Sequence, residues 1–404
     1  MRLNLSVLLA LSFAYLRLFA SCDGADRTFA VELFQDSPLS PLLSGAYFGS
    51  QFIRFAFDFQ RTSSWVLGEN SILAKLTSPD GYHYNSRQSP TLSYRSFGSE
   101  VVESLGNIRI KGSIVKDTIL FQHPKSLNVA LPDMEVEQQS FFVGNPIAAE
   151  LPEGVSGSLG LGHNDPSNSA FINRLKNAGL EYMAVSIVDG GHSSVVFTAD
   201  EDIMGSCLKK GENGLVSTAK DGTGWTFNFD LLNFGMTPIK KSGKLRAIAD
   251  DPDKEVVIQG TALLDPQTPF VVVPQSEAGK LALYFATSLG LTKTDIHLTE
   301  LPEYWAYAFD CESVSKKTKK LIKEKPTEHA AFISGTMAKR PLMLASPLAI
   351  IQMDDQCFTP YAYHNNAEAS TGDAAQVWIL GRPTFLGQVT FDLDTGDVCQ
   401  APFL

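Results

Sequence analysis

The chain has 404 residues, 44% hydrophobic and 10% aromatic, enough to bury large cores and long enough for two domains. A formal net charge of −11 and a pI near 5.2 argue against nucleic acid and anionic membrane surfaces as partners, although any exported acidic protein carries such a charge. Short apolar runs broken by 31 Gly and 21 Pro predict a mostly β fold.

Residues 1–22 read as a secretory signal peptide: Arg2 supplies the first charge, Leu5 to Leu16 the apolar core, and Ala20-Ser21 the small residues. Arg17 stops that run short of the roughly 18 apolar residues a membrane span needs, and no later segment reaches that length. The expected destination is therefore secreted or luminal, with no membrane span. Residues 23–44 form a short N-terminal segment, after which Ala46-Tyr-Phe-Gly49 opens the folded body.

The next stretch organises the rest. In Phe55-Ala-Phe-Asp-Phe-Gln-Arg-Thr-Ser-Ser-Trp-Val-Leu67, an apolar strand delivers Asp58 into a polar turn and the chain re-enters a buried strand at Trp65. A carboxylate at the end of an apolar strand is costly unless something satisfies or uses it. Residues 68–93 are polar and rich in turn signals, and Ala170-Phe-Ile-Asn-Arg-Leu175 has helical spacing with Gly179 as its stop. Val195-Val-Phe197 closes the first half, Lys209 to Gly214 is a turn-rich crossover, and Trp225-Thr-Phe-Asn-Phe229 alternates as a strand. Ala262-Leu-Leu-Asp-Pro-Gln-Thr-Pro-Phe-Val-Val-Val-Pro274 then repeats the plan, with Asp265 lying 207 positions after Asp58, about half the chain. Two half-chains, each presenting one acid from the same construction, predict two lobes whose acids meet. The six lysines between Lys316 and Lys325 read as a solvated face rather than a partner site. Asp394-Thr-Gly396 lies between two short apolar runs and reads as a hairpin turn.

Other chemistries find no footing. There is no GxSxG elbow, HExxH helix or P-loop, and the seven His are scattered without ligand spacing. Five cysteines without a CxxC or CxxH pair fit an oxidising compartment better than a metal site. Neither metal nor cofactor is expected.

Several stretches resemble the pepsin-like aspartic proteases, collinearly and over nearly the whole chain after the signal peptide. Trp65 falls seven residues after Asp58 and Pro274 nine after Asp265, where that family keeps a Trp and a Pro. Leu92-Ser-Tyr94 with Gly98-Ser99 resembles the flap hairpin, and Gly157-Ser-Leu-Gly-Leu-Gly162 a conserved strand-turn of the first lobe. Trp378-Ile-Leu-Gly381 with Phe385, and Phe391 to Val398 before Ala401-Pro402, resemble the last strands. The resemblance implies a bilobal fold, with an active-site cleft between pseudo-symmetric β lobes at 45–210 and 211–404. It implies a monomer that takes a polypeptide into that cleft, hydrolysed at acidic pH by Asp58 and Asp265 without a cofactor. Two adjacent carboxyls share one proton; the ionised one activates water and the other polarises the scissile carbonyl. In the same scheme Tyr94 covers the substrate, Trp65 is its indole partner, and Thr268 supports Asp265. The family's C-terminal-lobe disulfide maps onto Cys311 and Cys357. With Cys22 lost alongside the signal, Cys207 and Cys399 remain, as a second bridge or as a bridge that one free thiol leaves unmade.

The chain also departs from the family. Phe59 and Pro266 stand where a Thr follows each Asp, and Gln60 and Gln267 stand where Gly comes next. Arg61 replaces a hydroxyl three residues after Asp58, and Arg95 follows Tyr94 in place of Gly. A cation pairing with Asp58 would hold it ionised, and the family's long inhibitory pro-segment has no counterpart. Two readings follow: an aspartic endopeptidase weakened at its site or, alternatively, an inactive relative that binds polypeptide in the same cleft.

Overall fold

In the computed structural model the described residues are 28–400, apart from 70–81, 97, 99, 106–107, 123–132, 148–150, 153, 164–169, 189–192, 205–214, 218–223, 239–244, 248–254, 315–317, 319, 321, 323, 335–340 and 366–376. The protein is mostly β. Among the described residues, eight strands between Leu43 and Gly160 make one sheet and ten between Thr226 and Leu380 make another. A third, six-stranded sheet joins both ends of the chain: Thr28–Leu33, Ser193–Thr198, Tyr182–Ser186, Val389–Asp392, Asp397–Gln400 and Leu215–Ser217, in that order. Thr28–Leu33, inside the segment expected to precede the folded body, is part of the fold, because it pairs along its whole length with Ser193–Thr198.

The first two sheets contain the same four-strand unit. Gln51–Asp58 runs parallel to Gly157–Gly160, which lies antiparallel to Trp65–Leu67, itself parallel to Met134–Pro146. Glu255–Leu264 runs parallel to Val377–Leu380, which lies antiparallel to Val271–Val272, itself parallel to Gln356–His364. Each unit therefore ends a buried strand at an aspartate turn and wedges that turn against a returning strand. Glycine makes the wedge possible. A Cβ on Gly160 would lie 2.4 Å from the Thr62 carbonyl, and one on Gly381 would lie 2.0 Å from the Phe270 carbonyl.

The strand Gln51–Asp58 reads as a continuous apolar run, with Phe55, Ala56 and Phe57 all buried, because both of its faces are covered. Phe55 meets Phe57 edge-on at 5.1 Å, and each buried ring contributes roughly 1.5–3 kcal/mol. The helical spacing at Ala170 gives a helix over Phe171–Asn177, and Gly179 ends it with a φ of +78° that suits glycine. Asp394-Thr-Gly396 is the turn between the last two strands: Asp392 accepts from the amides of Asp394 and Thr395, and Asp394 pairs with Lys176 at 2.6 Å.

Cys311 and Cys357 are disulfide-bonded with Cα atoms 5.0 Å apart, tying the end of Tyr304–Asp310 to the start of its antiparallel neighbour. Cys399 is also disulfide-bonded, while Cys207, its expected partner, lies outside the described residues, as do Lys209 to Gly214 and part of the lysine run. Among the described residues no helix is long and apolar enough to cross a membrane, and no cluster of His, Cys, Asp or Glu is arranged to hold a metal ion.

Candidate active site at two facing aspartate turns

Asp58 closes its strand almost fully buried. A buried carboxylate survives where donors replace water, and here they come from main chain. The amides of Gln60 and Arg61 donate to Oδ1 at 2.9 and 3.1 Å, and the amide of Leu105 donates to Oδ2 at 2.6 Å. These N–H donors stand in for the water that burial removes. The turn is fixed from behind as well: Leu161 donates its amide to the Asp58 carbonyl and Gly162 donates to that of Arg61.

Asp265 is also buried. The Gln267 amide donates to Oδ1 at 3.0 Å, repeating the Gln60–Asp58 contact, and the Thr268 hydroxyl donates to Oδ2 at 3.1 Å. The side-chain amide of Gln60 completes the set, donating to Asp265 Oδ2 at 2.8 Å. Gln60 is thus bonded through its main chain to one acid and through its side chain to the other. Burial pushes the Asp265 carboxyl above its ordinary range, and the donors from Gln60, Gln267 and Thr268, with the Arg382 charge, pull it only part of the way back.

Below the second turn lies Arg382, a buried cation. Its guanidinium donates to the carbonyls of Pro266, Gln267, Pro38 and Ser40 and to Gln35 Oε1, stitching the Asp265 turn to the N-terminal segment. Burial lowers its pKa to about 10, which still leaves it charged. Gln267 adds a two-point clamp, its side-chain amide giving and taking a hydrogen bond with the main chain of Leu42. Neither protein-family models nor curated proteins match the chain. What the site can do is therefore argued from its own geometry.

The structure brings Asp58, Asp265 and Thr268 together. Arg61 pairs its guanidinium with Glu103 at 3.2 Å, and its main-chain amide donates to Asp58. Tyr94 stands half exposed on a two-residue strand beside Lys116, whose ammonium lies 5.8 Å from its ring. Trp65 is buried elsewhere, among Val102, Ile108, Ile110 and the half-buried Leu105. Its Nε1–H has no partner among the described residues. The segment that reaches Asp58 is the hairpin of Glu100–Ser104 and Ile108–Phe121, some ten residues beyond Tyr94. Sequence reading missed Leu105 and the role of Gln60. A signal for the hairpin was present, since Gly106-Asn107 between two valine- and isoleucine-bearing runs is a turn pattern.

Proposed function

We propose that the chain is a pepsin-like, bilobal aspartic endopeptidase hydrolysing polypeptide bonds at acidic pH, with lobes at 45–210 and 211–404. The observation that carries the reading is Gln60, which bonds to both acids and so requires the two turns to face each other within the reach of one side chain. The repeated four-strand unit behind each turn supports the two-lobed arrangement, and the disulfides suit a secretory route.

In this scheme the ionised Asp58 takes a proton from water, and the oxygen of that water attacks the scissile carbonyl carbon. Asp265, held neutral by burial, gives its proton to the carbonyl oxygen. The tetrahedral adduct then collapses: Asp58 returns its proton to the amide nitrogen, the C–N bond breaks, and Asp265 recovers its proton from the adduct hydroxyl. No metal takes part in this sequence.

A second reading is favoured by one observation. Oδ2 of each acid already holds donors, Leu105 on one and Gln60 with Thr268 on the other, where water or a carbonyl would have to act. A cleft so occupied would capture a polypeptide without cleaving it. A mixed peptide library incubated at about pH 4 and read by mass spectrometry separates the two. The endopeptidase cleaves internally, and Asp58→Asn and Asp265→Asn each cut the rate by about a hundredfold or more. Wild-type protein that retains peptides and releases them intact is the binding protein.

A further inference from the structure

We propose that the hairpin formed by Glu100–Ser104 and the start of Ile108–Phe121 is an inhibitory latch, which seats its own Leu105 amide on Asp58 and must withdraw before water or a polypeptide can use that acid. The proposal rests on Asp58 being the base of the proposed reaction.

Three independent contacts close the latch. The Leu105 amide donates to Asp58 Oδ2 at 2.6 Å, shorter than the bonds that the Gln60 and Arg61 amides make to Oδ1. Leu105 takes a φ of +43° to do so, in the left-handed region that a leucine avoids, so the fold holds the residue there against its preference. Glu103, on the strand leading to Leu105, pairs with Arg61 of the Asp58 turn, with both side chains well exposed (54% and 39%). Val102, Ile108 and Ile110 pack with Leu105 around Trp65 and leave it with no exposed surface. An exposed ion pair is weak and screened by salt, while the apolar seal and the amide bond resist salt. The latch is thus strong at Asp58 and soft at its rim, as suits a segment that a polypeptide could lift by offering its own N–H to Asp58 Oδ2.

Hydrogen exchange of the segment 100–110, read by mass spectrometry on the full chain, tests the latch whether or not the protein cleaves anything. Asn at position 58 can keep its oxygen toward Gln60 and Arg61, which turns its NH2 against the Leu105 N–H, two donors face to face. We expect Asp58→Asn to speed exchange in the hairpin about tenfold or more and Glu103→Gln to speed it a few-fold. Asp265→Asn, whose carboxyl bonds to Gln60, Gln267 and Thr268 and to no described hairpin residue, leaves it unchanged. If the Asp58 variant fails to fold, Glu103→Gln and high salt decide the matter on their own. A wild-type hairpin that exchanges as fast as the released variants, or that Asp265→Asn opens equally, overturns the latch. Failure of the enzyme reading shows separately, as absence of peptide cleavage in a Glu103→Gln protein whose hairpin exchange has risen.

Discussion

Glutamine at position 60 changes what an aspartate turn can do. A glycine there would give its amide to Asp58 and nothing more, whereas Gln60 also reaches Asp265 and links two acids that the chain places far apart. The consequence for Asp265 is testable through stability. Burial raises its pKa in the folded state, so the folded protein holds this proton more tightly than the unfolded chain does. By linkage, the stability this group contributes is fully present below the unfolded carboxyl pKa of about 3.9 and is lost as pH rises through the folded value. Asp265→Asn removes the titration and keeps the shape, with the Gln60 amide free to turn its oxygen toward the new NH2. The variant should therefore melt above wild type near neutral pH, with the gap closing as pH falls toward about 4. A gap that widens in acid would contradict this account of Asp265. Both acids were legible in the sequence because a lone carboxylate between apolar strands demands a reason. The Gln60 bridge was not, since it depends on how two turns face each other in space. The Arg61 guanidinium, weighed as a cation that could pair with Asp58, instead meets Glu103, an exposed partner, while the Arg61 amide donates to Asp58.

Among the elements, the hairpin at 100–110 and the disulfide-tied pair of strands show opposite degrees of legibility. The disulfide followed from a resemblance that fixed which cysteines correspond, and the strands Tyr304–Asp310 and Gln356–His364 carry it at adjoining ends. It closes a separation of 46 residues. Chain entropy makes such a crosslink worth about 4 kcal/mol, so Cys311→Ala should lower the denaturant midpoint by a corresponding amount without altering the hydrolysis measured below the transition. A loss under about 1 kcal/mol would mean that the strand pairing alone holds this edge. The resemblance drew attention to Leu92-Ser-Tyr94, while Glu100 to Ile110, whose Leu105 reaches Asp58, offered only alternation and a turn. Val102, Ile108 and Ile110 need a buried face and find it on Trp65, whereas Tyr94 is half exposed beside Lys116.

At the scale of the whole molecule, repetition and exchange of strands define the fold. One unit builds each aspartate turn, and the six-stranded sheet takes strands from both ends of the chain. Contacts that cross between the halves reinforce it. Trp225 donates its indole N–H to the Leu161 carbonyl at 2.7 Å, directly behind the Asp58 turn, and Phe59 packs on Phe391 with ring centroids 5.9 Å apart. Where the resembled family would use hydroxyls beside each acid, this chain uses an aromatic contact and the Gln60 amide. The most direct test of the central claim is the pH dependence of kcat/KM for hydrolysis of one peptide drawn from the library, from about pH 3 to about pH 7. The account predicts an acidic optimum whose alkaline limb reports loss of the Asp265 proton, displaced upward from an ordinary aspartate, and no measurable turnover in Asp265→Asn. Turnover that rises through neutral pH, or that survives in both Asn variants, would contradict it.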